Sequence, residues 1–208
     1  MTFSEQLHAA QRATGSRLCV GLDPDPGRLP APLRALPPAE AVVRFNRAII
    51  EATAEVACAY KPNLAFYEAL GADGWRAFEE TVRAVPEGRL VIADAKRGDI
   101  GNTARRYADA FLSTLGCDAV TISAYMGADA VEPFLQQAGT CAFVLVATSN
   151  PGAAAVQQLV ADGEPLYFHV ARLAAEAAAY RPGDGGFVVG ATKTGALADL
   201  RGRYPDVP

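Results

Sequence analysis

What most constrains this chain is an alternation: six short runs rich in Val, Ile, Ala or Cys recur between longer stretches of helical period. The runs are Leu18 to Leu22, Ala57 to Lys61, Leu90 to Asp94, Ala119 to Ser123, Cys141 to Ala147 and Gly186 to Gly190. Their continuous apolar character predicts strands buried on both faces, and their serial order predicts strand-helix units in a parallel sheet. Between the runs, Ala41, Val42, Phe45, Ile49, Ala52 and Val56 share one helical face, and Trp75, Phe78, Val82 and Val85 share another. Ile100, Ala104, Tyr107, Ala108, Phe111 and Leu115 make a third such face, with Asp99 where its N-cap is expected. Prolines at 24, 26, 30, 32, 37 and 38 predict a long loop after the first strand.

A chain of 208 residues, 50% of them apolar, can bury a sizeable core, and residues 1–208 read as one domain without linker or repeat. A net charge of −4 with scattered Lys and Arg argues against a nucleic acid polymer as partner. No apolar run approaches the roughly 20 residues that span a bilayer, and Met1 to Gln11 lacks a signal layout, so no membrane partner and a cytoplasmic location are expected. Cys19, Cys58, Cys117 and Cys141 match no CxxC spacing and are expected as reduced core residues. The two histidines, His8 and His169, have no second ligand-like residue at helical spacing, which argues against a histidine metal centre or a Ser-His-Asp triad.

Serial strand-helix units admit an open doubly wound sheet or a closed barrel. No GxGxxG or GxxxxGK[ST] motif follows any strand, which removes the main support for the open sheet. Polar residues cluster instead at strand C-termini: Asp23, Lys61, Asp94 with Lys96, Ser123, and Ser149 with Asn150. A barrel gathers such ends into one ring, so a (β/α)8 barrel with six units in this chain is expected. If strand geometry continues past Asp94, alternation puts Asp94 and Lys96 on one side. A carboxylate beside an ammonium in a partly dry site keeps both ionised, and Lys61 and Asp99 extend this to an alternating array of acid and base. The bland alternatives are that Asp99 is a helix cap, Lys96 a salt-bridge partner and Lys61 a solvated strand end.

The segment Asp94-Ala95-Lys96-Arg97-Gly98-Asp99-Ile100-Gly101 resembles the DxKxxDI signature of orotidine 5′-phosphate decarboxylases. Leu22-Asp23-Pro24-Asp25-Pro26, Lys61-Pro62-Asn63 with Phe66-Tyr67-Glu68, and Thr148-Ser149-Asn150-Pro151-Gly152 resemble three more motifs of that family, in family order and in the wording of its longer bacterial subgroup. The resemblance implies a dimeric barrel acting in pyrimidine biosynthesis on a small nucleotide, without cofactor or metal. It implies that Asp23 holds a ribose hydroxyl, that Lys61 bonds the ribose and supports Asp94, and that Lys96 donates a proton to C6. Asp99 and Thr103 are implied to reach the partner subunit's site, and Ser149 to read the pyrimidine edge. Ser123-Ala124 stands where the subgroup usually has Asn-Pro. Barrels of this kind commonly bind phosphate on the loops after strands seven and eight. Only six strands are predicted, so no phosphate ligand is assigned, and about two further strand-helix units are expected beyond Pro208 in the natural product. The rivals are a magnesium-dependent phosphosugar decarboxylase or aldolase of the same barrel group, a Schiff-base aldolase, and a catalytically dead barrel serving as a binding subunit.

Overall fold

All six apolar runs fold as strands in a computed structural model that describes residues 1–208. In chain order the strands are β1 (Leu18–Leu22), β2 (Ala57–Pro62), β3 (Leu90–Arg97), β4 (Ala119–Ile122), β5 (Cys141–Ala147), β6 (Val160–Ala161), β7 (Glu164–Pro165) and β8 (Asp184–Val189). The helices are α1 (Phe3–Thr14), α2 (Ala31–Arg34), α3 (Pro38–Thr53), α4 (Leu64–Glu68), α5 (Gly71–Ala84), α6 (Gly101–Ala108), α7 (Ala154–Gln157), α8 (Leu166–Ala178) and α9 (Thr194–Arg203). Hairpin β6–β7 has no counterpart among the predicted runs, because two-residue strands carry too little periodicity to register. The proline-rich stretch, expected to be a loop, holds a 3₁₀ turn at Pro26–Arg28 and the short α2. Asp25 caps that turn by accepting from Gly27 N at 3.0 Å, and a proline within the first two positions suits each start, where an N–H lacks a partner anyway.

The chain divides into two compact units. The first comprises residues 5–95 and 111–119. Here β1 pairs in parallel with β2, and β2 with β3. Leu22, Ile50, Ala57 and Tyr60 form a buried cluster, with Val20 and Ile49 packed against it. The inward face of α3 is Ala41, Val42, Val43, Asn46 and Ile50, which corrects the predicted stripe: Ala52 and Val56 point to solvent. The stripe turns because the buried Asn46 amide finds polar partners across the helix pair. Its Nδ2 donates to Tyr67 Oη at 2.9 Å and to Thr81 Oγ1 at 3.0 Å, so a polar residue occupies the inward face. On α5, Phe78 and Val82 are buried as predicted, whereas Trp75 stays 36% exposed while stacking on Phe78.

The second unit comprises residues 1–4, 96–110 and 120–208. In it β5 pairs in parallel with β8 from Cys141↔Asp184 onward. The Asp184 carboxylate accepts from both the backbone N and the Oγ of Ser4 at 2.8 Å, and Phe3 meets Phe143 edge to face. Phe168, Ala171 and Ala174 form the buried stripe of α8. Helix α6 runs on into a π-helical turn at Asp109–Thr114. Its predicted apolar face holds at Ala104, Ala108 and Phe111, but Ile100 is 51% exposed. Cys58, Cys117 and Cys141 are buried as expected, and burial pushes the Cys117 thiol up to about 12. Cys19 departs from that expectation: it is exposed on β1, which is hydrogen-bonded along one edge only. No helix is long and apolar enough to cross a membrane.

Candidate active site

In the first unit, strand register brings three of the predicted residues to neighbouring strand ends. Gly21 pairs with Lys61, and Asp23 follows two residues later at the end of β1. Lys61 Nζ lies 2.8 Å from Asp94 Oδ2. The Asp94 residue is only 8% exposed, so its charge is withdrawn from water, and a carboxylate so placed needs an opposing cation within reach. Asp23 Oδ2 accepts from Asn63 Nδ2 at 2.9 Å. Asn63 itself is fixed at three points: its N donates to Leu22 O, its Oδ1 accepts from Ala65 N and caps α4, and its backbone bridges to Asp94. Asn63 belongs to the Lys61-Pro62-Asn63 motif, for which the sequence suggests no role at this position. Its Asx-type position just before a helix is the signal that could have marked it as the residue aiming Asp23.

In the second unit, Lys96 has a left-handed backbone with φ of +47°, rare for a residue with a Cβ and costing roughly 1 kcal/mol or more. Strand alternation therefore fails at Lys96, although β3 runs on through Arg97. The twist is held by Lys96 N donating to Thr121 Oγ1 at 3.0 Å, from a threonine that is 3% exposed. Lys96 and Ser149 line one cavity of about 570 Å³, together with Ser123, Thr148, Gln157 and Tyr167. Leu145, Val146, Val170 and Val188 supply apolar wall to the same cavity. A space of this size with a few polar groups on apolar walls suits a small-molecule ligand.

Asp99 and Thr103 do not line that cavity. Asp99 is not the N-cap of α6, as the alternative expectation had it. Ile100 occupies that position with no side-chain cap bond, and Asp99 Oδ1 accepts only locally from Ile100 N at 2.8 Å. The helix begins one residue later than expected because Gly101, with φ of +57°, makes the turn that leads into it. Thr103 sits exposed in the first turn of α6. Gln157 and Gly190 also line the cavity and were not foreseen, since neither stands in a motif whose chemistry sequence reading could name. Thr121 was likewise missed, although a hydroxyl inside an apolar strand is a visible signal.

Parallel strands in serial strand-helix units, acid and base groups at strand ends in one unit and a ligand-sized cavity in the other define a barrel-type enzyme of the (β/α)8 class. A family model described as orotidine 5′-phosphate decarboxylase / HUMPS family matches residues 16–206, and the chain belongs to that family. A protein of Herpetosiphon aurantiacus named orotidine 5′-phosphate decarboxylase is 48% identical over 207 residues, which are 99% of this chain and 76% of that protein. One of the same name from Roseiflexus castenholzii is 51% identical, across 100% of this chain and 75% of its own length. A solved structure of Leishmania donovani OMP decarboxylase superposes with a TM-score of 0.88 at 42% identity, covering 100% of this chain and 78% of that one.

Proposed function

We propose that this chain decarboxylates orotidine 5′-phosphate to uridine 5′-phosphate in pyrimidine biosynthesis, without metal or organic cofactor, with Lys96 as proton donor to C6. The observation that carries this is the opening of Lys96 and Ser149 onto one cavity, an ammonium and a hydroxyl on largely apolar walls. In the reaction the bond from C6 to the carboxylate breaks, carbon dioxide leaves, and the electron pair stays on C6. That pair lies in the ring plane, where no adjacent carbonyl can conjugate with it, so stabilisation must be electrostatic. The Lys96 ammonium supplies that charge, then its proton forms the new C6–H bond. Ser149 hydrogen-bonds the pyrimidine edge. Asp94 stands against the departing carboxylate, with Lys61 as its cation and a ligand to the ribose, and Asp23 accepts from a ribose hydroxyl.

One charge pair at about 4 Å and an effective dielectric near 20 is worth roughly 4 kcal/mol, about three decades of rate. The rest of the barrier must come from binding energy realised at the transition state. In this proposal the chain is a cytoplasmic homodimer in which Asp99 and Thr103 serve the partner subunit's site, in keeping with their absence from the wall of the cavity that holds Lys96.

Purified protein mixed with orotidine 5′-phosphate in the presence of EDTA tests the proposal by release of carbon dioxide and uridine 5′-phosphate. Product is expected from the unsubstituted chain, and Lys96→Ala is expected to fold and form none. No product from the unsubstituted chain, equal product from Lys96→Ala, or turnover abolished by EDTA and restored by magnesium would each defeat it.

A further inference from the structure

We infer that Gln157 is a positioning residue for substrate binding: it locks the Thr148–Asn150 turn so that Ser149 faces the cavity shared with Lys96. This rests on the decarboxylase reading above. Gln157 ends α7, nine residues beyond Thr148, and closes a two-point clamp on it. Its Oε1 accepts from Thr148 N at 2.8 Å, and its Nε2 donates to Thr148 Oγ1 at 2.8 Å. The Thr148 hydroxyl donates in turn to Asn150 Oδ1 at 2.6 Å, so one side chain fixes both flanks of Ser149. A primary amide is the group that offers one acceptor and one donor at this spacing.

A second, independent feature holds the turn from the other side. Gly190, just past β8, donates its N to Ala147 O at 2.7 Å. A Cβ built on Gly190 would lie 2.9 Å from both Ser149 N and Ser149 Cβ, closer than such atoms approach. Ser149 therefore sits in a slot bounded by the Gln157 clamp and the bare glycine backbone. Without that slot an exposed serine on a loop would sample several orientations, and its hydrogen bond to substrate would carry an ordering cost.

Such a contact, made alike in ground and transition states, appears in KM rather than kcat. Gln157→Leu is expected to raise KM for orotidine 5′-phosphate about tenfold, with kcat changed less than about threefold. Gln157→Glu keeps only the bond from Thr148 N, since the one Thr148 hydroxyl proton cannot serve both the new carboxylate and Asn150 Oδ1, and is expected to raise KM about threefold, between the parent and Gln157→Leu. Gly190→Ala attacks the same slot without touching the clamp and is expected to raise KM likewise, which keeps the inference testable should Gln157→Leu not fold. A lowered thermal midpoint with KM unchanged in both Gln157→Leu and Gly190→Ala would mean a purely structural role and overturn the inference. If the unsubstituted chain does not turn over orotidine 5′-phosphate, the decarboxylase reading itself falls, a result distinct from any difference among variants.

Discussion

Lys96 is held in a conformation that its own side chain disfavours. A lysine at φ of +47° persists only where its surroundings over-determine it, and the bond from its N to the buried Thr121 hydroxyl is one such constraint. Removing the Cβ should relieve the strain, whereas shortening the side chain should not. Lys96→Gly is therefore expected to be more stable than Lys96→Ala by about 1 kcal/mol, the reverse of the usual order in a strand, and urea denaturation of the two variants measures it. Equal midpoints, or a more stable alanine variant, would show that the backbone is unstrained. The residue type at 96 was legible from the DxKxxDI wording. The twist was not, because alternation along a strand assumes φ values that a hydrogen bond from a distant threonine here overrides.

Two polar contacts, one buried and one half-buried, set how the elements of the first unit join. Asn46 on α3 bonds Tyr67 of α4 and Thr81 of α5, so its loss would free two hydroxyls from their amide partner. Asn46→Ala is expected to cost about 2 kcal/mol, read as a lower urea midpoint with unchanged slope. At the start of β3, Asp118 Oδ2 accepts from Val91 N at 2.7 Å, yet burial raises its carboxyl above the ordinary value of 3.8. Just above that ordinary value the folded chain binds more protons than the unfolded one, so this group's contribution to stability falls as pH rises through the window. Asp118→Asn keeps an oxygen for Val91 N and removes the ionisation. Its stability relative to the parent should rise between about pH 4 and about pH 7, a comparison of denaturation midpoints that would fail if the aspartate's charge were favoured by its surroundings. Neither contact shows in a hydrophobic pattern. Asn46 lies outside the apolar stripe that periodicity picks out on its helix, and only the juxtaposition of three helices explains its burial.

For the whole molecule, the proposed homodimer makes a prediction that no single subunit could satisfy. If Asp99 serves the partner's site, a mixture of Lys96→Ala and Asp99→Ala subunits contains hybrid dimers with one intact site each. Equal mixing with free exchange should then restore about a quarter of the parent activity, because half the dimers are hybrids with one working site of two. Two inactive variants that stay inactive after exchange, verified by sedimentation, would rule out the sharing of sites. On the same scale, the order of the six main-sheet strands needed no coordinates, since continuous apolar runs of four to eight residues separated by amphipathic stretches admit few folds in water. The acids and bases at strand ends were visible for the same reason: charge does not belong where a buried strand stops unless something meets it there. What tertiary structure alone decided was orientation, including the left-handed turn at Lys96, the aiming of Asp23 by Asn63, and the Gln157 clamp on the turn that carries Ser149. Those depend on angles and distances of a few ångströms between residues far apart along the chain, and hydrogen bonds are sensitive to that scale while hydrophobic periodicity is not.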